Sequence, residues 1–179
     1  MNLTTQELKF SGALLGRGFW LYVWDITTVA QTHLYYVGRT GDSSSQNAQS
    51  PFNRMGQHLG FNKNSNVLRR RLQNKRIDAN KCAFRLVASG PILEEAKGHA
   101  QHRESRDRIA GMEKALANAM TEAGYMVINK VHCHTRLDVR SFEAVRVAFA
   151  KHFGRLSQKR KVAPLRESQN EATRRGGHR

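Results

Sequence analysis

The chain has little of what marks several large protein classes. Its two cysteines, Cys82 and Cys133, stand far apart, so neither a disulfide framework nor a paired-cysteine zinc site is encoded, and a reducing compartment is expected. Apolar runs are only a few residues long, which excludes a membrane-spanning helix and the apolar core of a secretory signal. The expected location is therefore the cytoplasm or the nucleoid rather than the exterior. Acidic residues are scarce as well: 14 Asp and Glu face 30 Lys and Arg, a net charge of +16 with a pI near 10.8.

That imbalance points to nucleic acid as the partner. A membrane surface also attracts cations, but no basic helix here carries a continuous Trp/Leu face. Charge alone admits DNA and RNA, and it admits a packaging protein. With 179 residues, 39% of them apolar and 8% aromatic, the chain suits one globular domain with short appendages.

Trp20 to Ile26 and Leu34 to Val37 are rich in aromatic and β-branched residues and read as two strands joined by a polar connection, most simply an antiparallel hairpin. Gly41-Asp42-Ser43-Ser44-Ser45-Gln46-Asn47 is too polar to bury anything and reads as a surface loop. Pro51 opens a helix with Phe52, Met55 and Leu59 on one face; a second is expected from an N-cap at Ser65, turning Leu68 and Leu72 inward and Arg69, Arg70 and Arg71 outward. Cys82 to Ala88 alternates as a third strand closed by Gly90-Pro91. From Ile92 a helical pattern runs to about Ala123, where Gly124 stops it; its first half is polar, and its second carries the stripe Ile109, Met112, Leu116, Ala119 and Met120. Phe142, Val145, Phe149 and Phe153 mark a last amphipathic helix.

These elements divide the chain into an N-terminal arm (1–17), a domain (18–131), a C-terminal helix packed on it (138–154) and a basic tail (155–179) expected to be disordered. Arg39, Arg69, Arg70, Arg71, Lys75, Arg76, Arg103, Arg106 and Arg108 are the candidate contacts to a phosphate backbone.

Glu113 falls at the edge of the apolar stripe of the long helix, so an inward carboxylate needs a cation, a hydrogen-bond network or a metal. A salt bridge to one of the many arginines is the plain reading. Arg54 and His58, one turn apart, set a fixed guanidinium beside a titratable imidazole, although such pairs are more often phosphate anchors or solvated charge. His132, Cys133 and His134 alternate along an extended segment and so point to opposite sides, which weighs against zinc.

Taken in order, Leu21-Tyr22, Tyr36-Val37-Gly38, Arg54-x-x-x-His58, helical Glu113 and Asn129 resemble the GIY-YIG nuclease family, over Phe19 to Lys130. The resemblance implies an α+β fold, with a small three-stranded antiparallel sheet flanked by helices and the motif residues converging on one face of it. It also implies a divalent-metal-dependent endonuclease acting on DNA, with one Mg²⁺ or Mn²⁺ held by Glu113. Tyr22 would assist removal of a proton from water, Arg54 would stabilise the charge that develops on phosphate, and Tyr36, His58 and Asn129 would complete the site around a structural Gly38. Cutting both strands with one metal site would favour a homodimer or sequential nicking. The first motif lacks its usual glycine, and the spacings from Tyr22 to Tyr36 and from Gly38 to Arg54 are long. The rival expectation is a non-catalytic DNA- or RNA-binding protein on the same scaffold.

Overall fold

The computed structural model describes residues 3–42 and 47–157. Part of the polar loop, 43–46, and the basic tail from 158 onward lie outside the described residues. Strands β1 (Phe19–Thr27), β2 (His33–Arg39) and β3 (Ala83–Leu93) are joined by α1 (Pro51–Leu59) and α2 (Val67–Asn74), and β3 is followed by α3 (His99–Glu122) and α4 (Val139–Ala150). The strands form one antiparallel sheet in the order β2-β1-β3. This is the α+β architecture that the sequence predicts. None of the described helices is long and apolar enough to cross a membrane.

The period-two alternation of β1 sends its side chains to two separate cores. Leu21 and Val23 join Val37 and Val87 against Ile109, Met112, Leu116 and Met120 of α3 and Val145 and Phe149 of α4. Tyr22, Trp24 and Ile26 join Leu34 and Tyr36 against Leu68 and Leu72 of α2, with Met55 and Leu59 of α1 at the margin. The central strand is thus buried on both faces. Each fully buried Leu, Ile, Val or Met contributes roughly 1.5–3 kcal/mol, so the two cores hold the layers in place.

Local chemistry fixes the ends of the elements. Ser50 caps α1 by accepting from Asn53 N, with Pro51 at the first helical position. At the other end of the chain's longest helix, Gly124 at φ +81° donates to Thr121 O and Tyr125 N donates to Met120 O, a paired closure that satisfies the last carbonyls of α3.

Several boundaries differ from expectation. Gly90-Pro91 does not close β3: Leu21 pairs with Ser89 and Phe19 with Leu93, so the two residues sit in a bulge where proline's missing N–H costs no ladder bond. Ile92 and Leu93 belong to that strand, and α3 begins at His99 rather than Ile92. Asn66, not Ser65, precedes α2, and it makes no side-chain capping bond. Arg155 to Ser157, assigned to the tail, form a turn whose Leu156 is buried beside Phe153 and α4, because one apolar residue suffices to dock a short segment.

The exposed edge of β2 is covered by the segment after α3. Tyr35 N donates to Met126 O at 2.9 Å and Ile128 N to Tyr35 O at 2.8 Å, and Asn129 extends this pairing with its amide: Oδ1 accepts from Val37 N at 3.0 Å while Nδ2 donates to Val37 O at 2.7 Å. Among the described residues this cover ends at Val37. At the next residue, Gly38, an added Cβ would lie 2.5–2.6 Å from the ring of Tyr22, its cross-strand partner. Gly38→Ala should therefore lower stability by roughly 1–3 kcal/mol, the cost of overpacking, read as a drop in the thermal midpoint; an unchanged midpoint would show that the ring can move aside.

Candidate functional site

The polar residues gather at the end of the sheet where the β2 edge is uncovered. Tyr22 and Tyr36 project from the face covered by α1 and α2, with His58 of α1 between them: its ring centroid lies 5.7 Å from that of Tyr22 and 5.1 Å from that of Tyr36. Tyr22 Oη is 2.6 Å from His58 Nε2, and both side chains are almost fully buried. Arg54, one turn before His58, bonds to Gln57 Oε1 at 2.9 Å and Asp42 Oδ2 at 2.8 Å. Arg39 and Glu113 belong to the opposite, α3-covered face, where Arg39 Nε donates to Glu113 Oε2 at 2.9 Å and a second guanidinium nitrogen donates to Arg106 O at 3.1 Å. The motif residues thus straddle the sheet end instead of sharing one face, because Glu113 rides on the helix of the second core. The two groups still sense each other, as Glu113 raises the Tyr36 pKa and Arg54 favours the Glu113 carboxylate.

Burial sets the protonation states. It pushes Glu113 up to about 7, with Arg39 only partly opposing. Tyr36 is pushed up to about 12 by burial and by Glu113, and Tyr22 is raised further by burial despite the adjacent Arg54. His58 is driven down to about 3 by burial and then by Arg54, so its imidazole is neutral. Burial works against the Arg54 charge too, but Tyr22 and Asp42 outweigh it and hold the guanidinium above its ordinary pKa. For Tyr22 desolvation exceeds the effect of Arg54, so it rests as a phenol hydrogen-bonded to a neutral imidazole.

Two donors in this cluster are unspent. Arg54 Nε and His58 Nδ1 are buried with no hydrogen-bond partner among the described residues. Such groups cost stability unless something binds them. An anion reaching the sheet end would satisfy Arg54.

Asn129 departs from its expected role. Its carboxamide bonds both to the N–H and to the carbonyl of Val37, so it positions the β2 edge. Gly38 lies directly under the Tyr22 ring, where a Cβ would not fit. Asp42 was read only as a loop residue, and nothing in the local sequence distinguishes it from its polar neighbours.

The candidate phosphate contacts divide into two sets. Arg39 is spent on Glu113, Arg108 ties α3 to Asp138 and Ser141 at the start of α4, and Arg106 pairs with Asp107. Arg69 and Arg71, expected to point outward, are half-buried, bonding to Leu59 O and Asn80 and to Ile128 O respectively. Arg70, Lys75, Arg76 and Arg103 are exposed.

Among the described residues no group of three His, Cys, Asp or Glu could hold a metal, so a caged zinc site, including one at His132 to His134, has no support. Glu113 alone fits a different kind of cation. One carboxylate whose ionised form is under-compensated suits a hard divalent ion that keeps most of its water and takes further oxygens from phosphate. Comparison with family models, curated proteins and solved structures gives no match to this chain.

The two shifted groups act oppositely on stability. The folded pKa of His58 lies below its ordinary 6.5, so the unfolded chain binds more protons between about 6.5 and 3 and stability falls as pH drops through that window. The folded pKa of Glu113 lies above its ordinary 4.5, so stability falls as pH rises from about 4.5 to 7. His58→Gln should lose less stability than the parent between pH 6.5 and 4.5, by about 1–2 kcal/mol. Glu113→Gln should be more stable than the parent at pH 8 by about 1–3 kcal/mol and indistinguishable near pH 4.5. Denaturant titrations at the three pH values decide both, and parallel pH profiles for parent and variants would refute the assignments.

Proposed function

We propose that the chain is a divalent-metal-dependent endonuclease of the GIY-YIG type that hydrolyses phosphodiester bonds in DNA. The observation that carries this reading is the meeting, at one sheet end, of a buried Tyr22–His58 pair, an Arg54 with an unspent donor, and the Glu113 carboxyl whose pKa burial raises to about 7, drawn from β1, α1 and α3. Three elements far apart in the chain are needed to bring them together, which an incidental basic surface does not require.

Glu113 would hold one Mg²⁺ or Mn²⁺, which when bound supplies Lewis acidity at the scissile phosphate. Arg54 donates to the phosphoryl oxygens, where its preorganised guanidinium offsets charge as the P–O bond to one sugar breaks. Tyr22 orients the attacking water through its phenol oxygen while its own hydroxyl is held by His58 Nε2 across the 2.6 Å contact, and the proton that the water loses passes to solvent as solvent returns one to the departing sugar oxygen. Tyr36 packs beside His58 and helps keep that hydrogen bond dry.

A second reading is favoured by the internal pairing: Arg39 occupies Glu113, and Asp42 and Gln57 occupy Arg54. A nucleic-acid-binding protein without chemistry needs no more. Metal dependence separates the two. Supercoiled plasmid should be nicked or linearised with Mg²⁺ or Mn²⁺ and remain intact in chelator. Arg54→Ala should slow cleavage by at least about 100-fold, a loss of a few kcal/mol of transition-state stabilisation, and Glu113→Gln should abolish it while plasmid retardation persists. Retardation without cleavage under every metal condition would establish the binding reading instead.

A further inference from the structure

Phe61, just past the end of α1, is 82% exposed, an unusual state for a phenylalanine in a chain with two well-filled cores. One face of its ring is occupied. The Arg69 guanidinium stands 4.2 Å from the ring centroid and is pinned by bonds to Leu59 O at 3.0 Å and Asn80 Oδ1 at 3.2 Å, so the ring is backed by a fixed plane and presents its other face to solvent. Beside it lies a recess of about 490 Å³ lined by Gly56, Gln57, Gly60, Phe61 and Asn62. Gly56 is a helix-interior glycine whose missing Cβ would meet nothing within 4 Å, so packing does not account for it, although glycine there costs helix stability relative to alanine. Its effect is an open floor at which a flat group can approach the backbone. Gln57, in the wall of the same recess, bonds directly to Arg54.

We infer that Phe61, backed by Arg69, is a stacking platform for an unpaired nucleobase, and that the nucleic acid acted on at the adjacent sheet end carries a single-stranded or extruded base beside the scissile phosphate. The inference rests on the nucleic-acid part of the proposed function and names its substrate class. An aromatic ring stacked on a guanidinium offers a π-face that any base can cover, and the amide groups of Gln57 and Asn62 line the space where base edges would lie. In a duplex every base is already stacked on its neighbours, and only an unpaired one gains from this surface. Arg70, exposed on the following helix, supplies charge for the backbone of the same strand.

Binding in chelator tests the inference without any cleavage. A fluorescently labelled oligonucleotide is titrated with protein, once as a single strand and once as the duplex, at one fixed low salt concentration. Phe61→Ala, at an exposed position where folding is not at stake, should weaken single-strand binding about 5- to 150-fold and duplex binding by less than about twofold, and Phe61→Trp should restore it. Unchanged single-strand affinity in Phe61→Ala, an equal loss on both forms, or a loss that Trp does not rescue would overturn the platform while leaving the nuclease reading in place. Failure of the parent protein to bind either form would refute the nucleic-acid reading itself, and the platform with it.

Discussion

The ring of Tyr22 lies against the backbone of Gly38 at a distance no side chain could share, and the geometry of the sheet end follows from that approach. Tyr22 and Gly38 are opposite one another in the β1–β2 register, so a one-residue slip would turn the ring into the other core and bring a side chain to the place of the hydrogen. With the register fixed, the phenol oxygen arrives at His58, Arg54 follows one turn earlier on α1, and Arg39, next after Gly38, faces Glu113 on α3. The cover of the β2 edge by Asn129 stops one residue short of this point, so the same edge that is paired for stability is open where the polar residues collect.

Desolvation then governs the electrostatics. It raises Glu113, Tyr22 and Tyr36 and lowers His58, moving each toward its neutral form, while the guanidiniums keep their charge. The cluster at rest is thus a set of weak acids and a neutral imidazole beside two fixed cations. Under the nuclease reading a phosphate oxygen would take the Arg54 Nε donor that the ion pairs of Arg54 with Asp42 and of Arg39 with Glu113 leave unused. The cost of keeping Glu113 buried is the kind of stability loss that functional sites carry.

Much of this was legible in the sequence because it rests on periodicity. The alternation through Trp20 to Ile26 and the stripe from Ile109 to Met120 predict the sheet and the helix that covers it, whereas the expectation that the polar residues gather comes from the family resemblance and not from periodicity. What was not legible depends on distance through space. Nothing local says that Asn129 is consumed by Val37, that Glu113 stands on the opposite face from Tyr22, or that β3 continues through Gly90-Pro91, because each is decided by a partner strand or helix far along the chain. The protonation states are illegible for the same reason: the reference behaviour of tyrosine says nothing about how completely a particular ring is buried.

Charge shows the limit most plainly. A net of +16 invites every arginine to be counted as a phosphate contact, yet Arg39, Arg69, Arg71 and Arg108 spend their donors on Glu113, Leu59 O, Ile128 O and Asp138. Arginine is suited to both tasks, since the fork that grips a phosphate grips a carboxylate or a carbonyl equally well. Salt-sensitive attraction to a polyanion, where a chain has it, scales with the cations that release counterions on contact, and among the candidate contacts Arg70, Lys75, Arg76 and Arg103 are exposed and take part in none of the ion pairs of the described residues. The paired arginines act instead by holding still: Arg39 fixes the carboxylate, and Arg69 fixes the ring of Phe61.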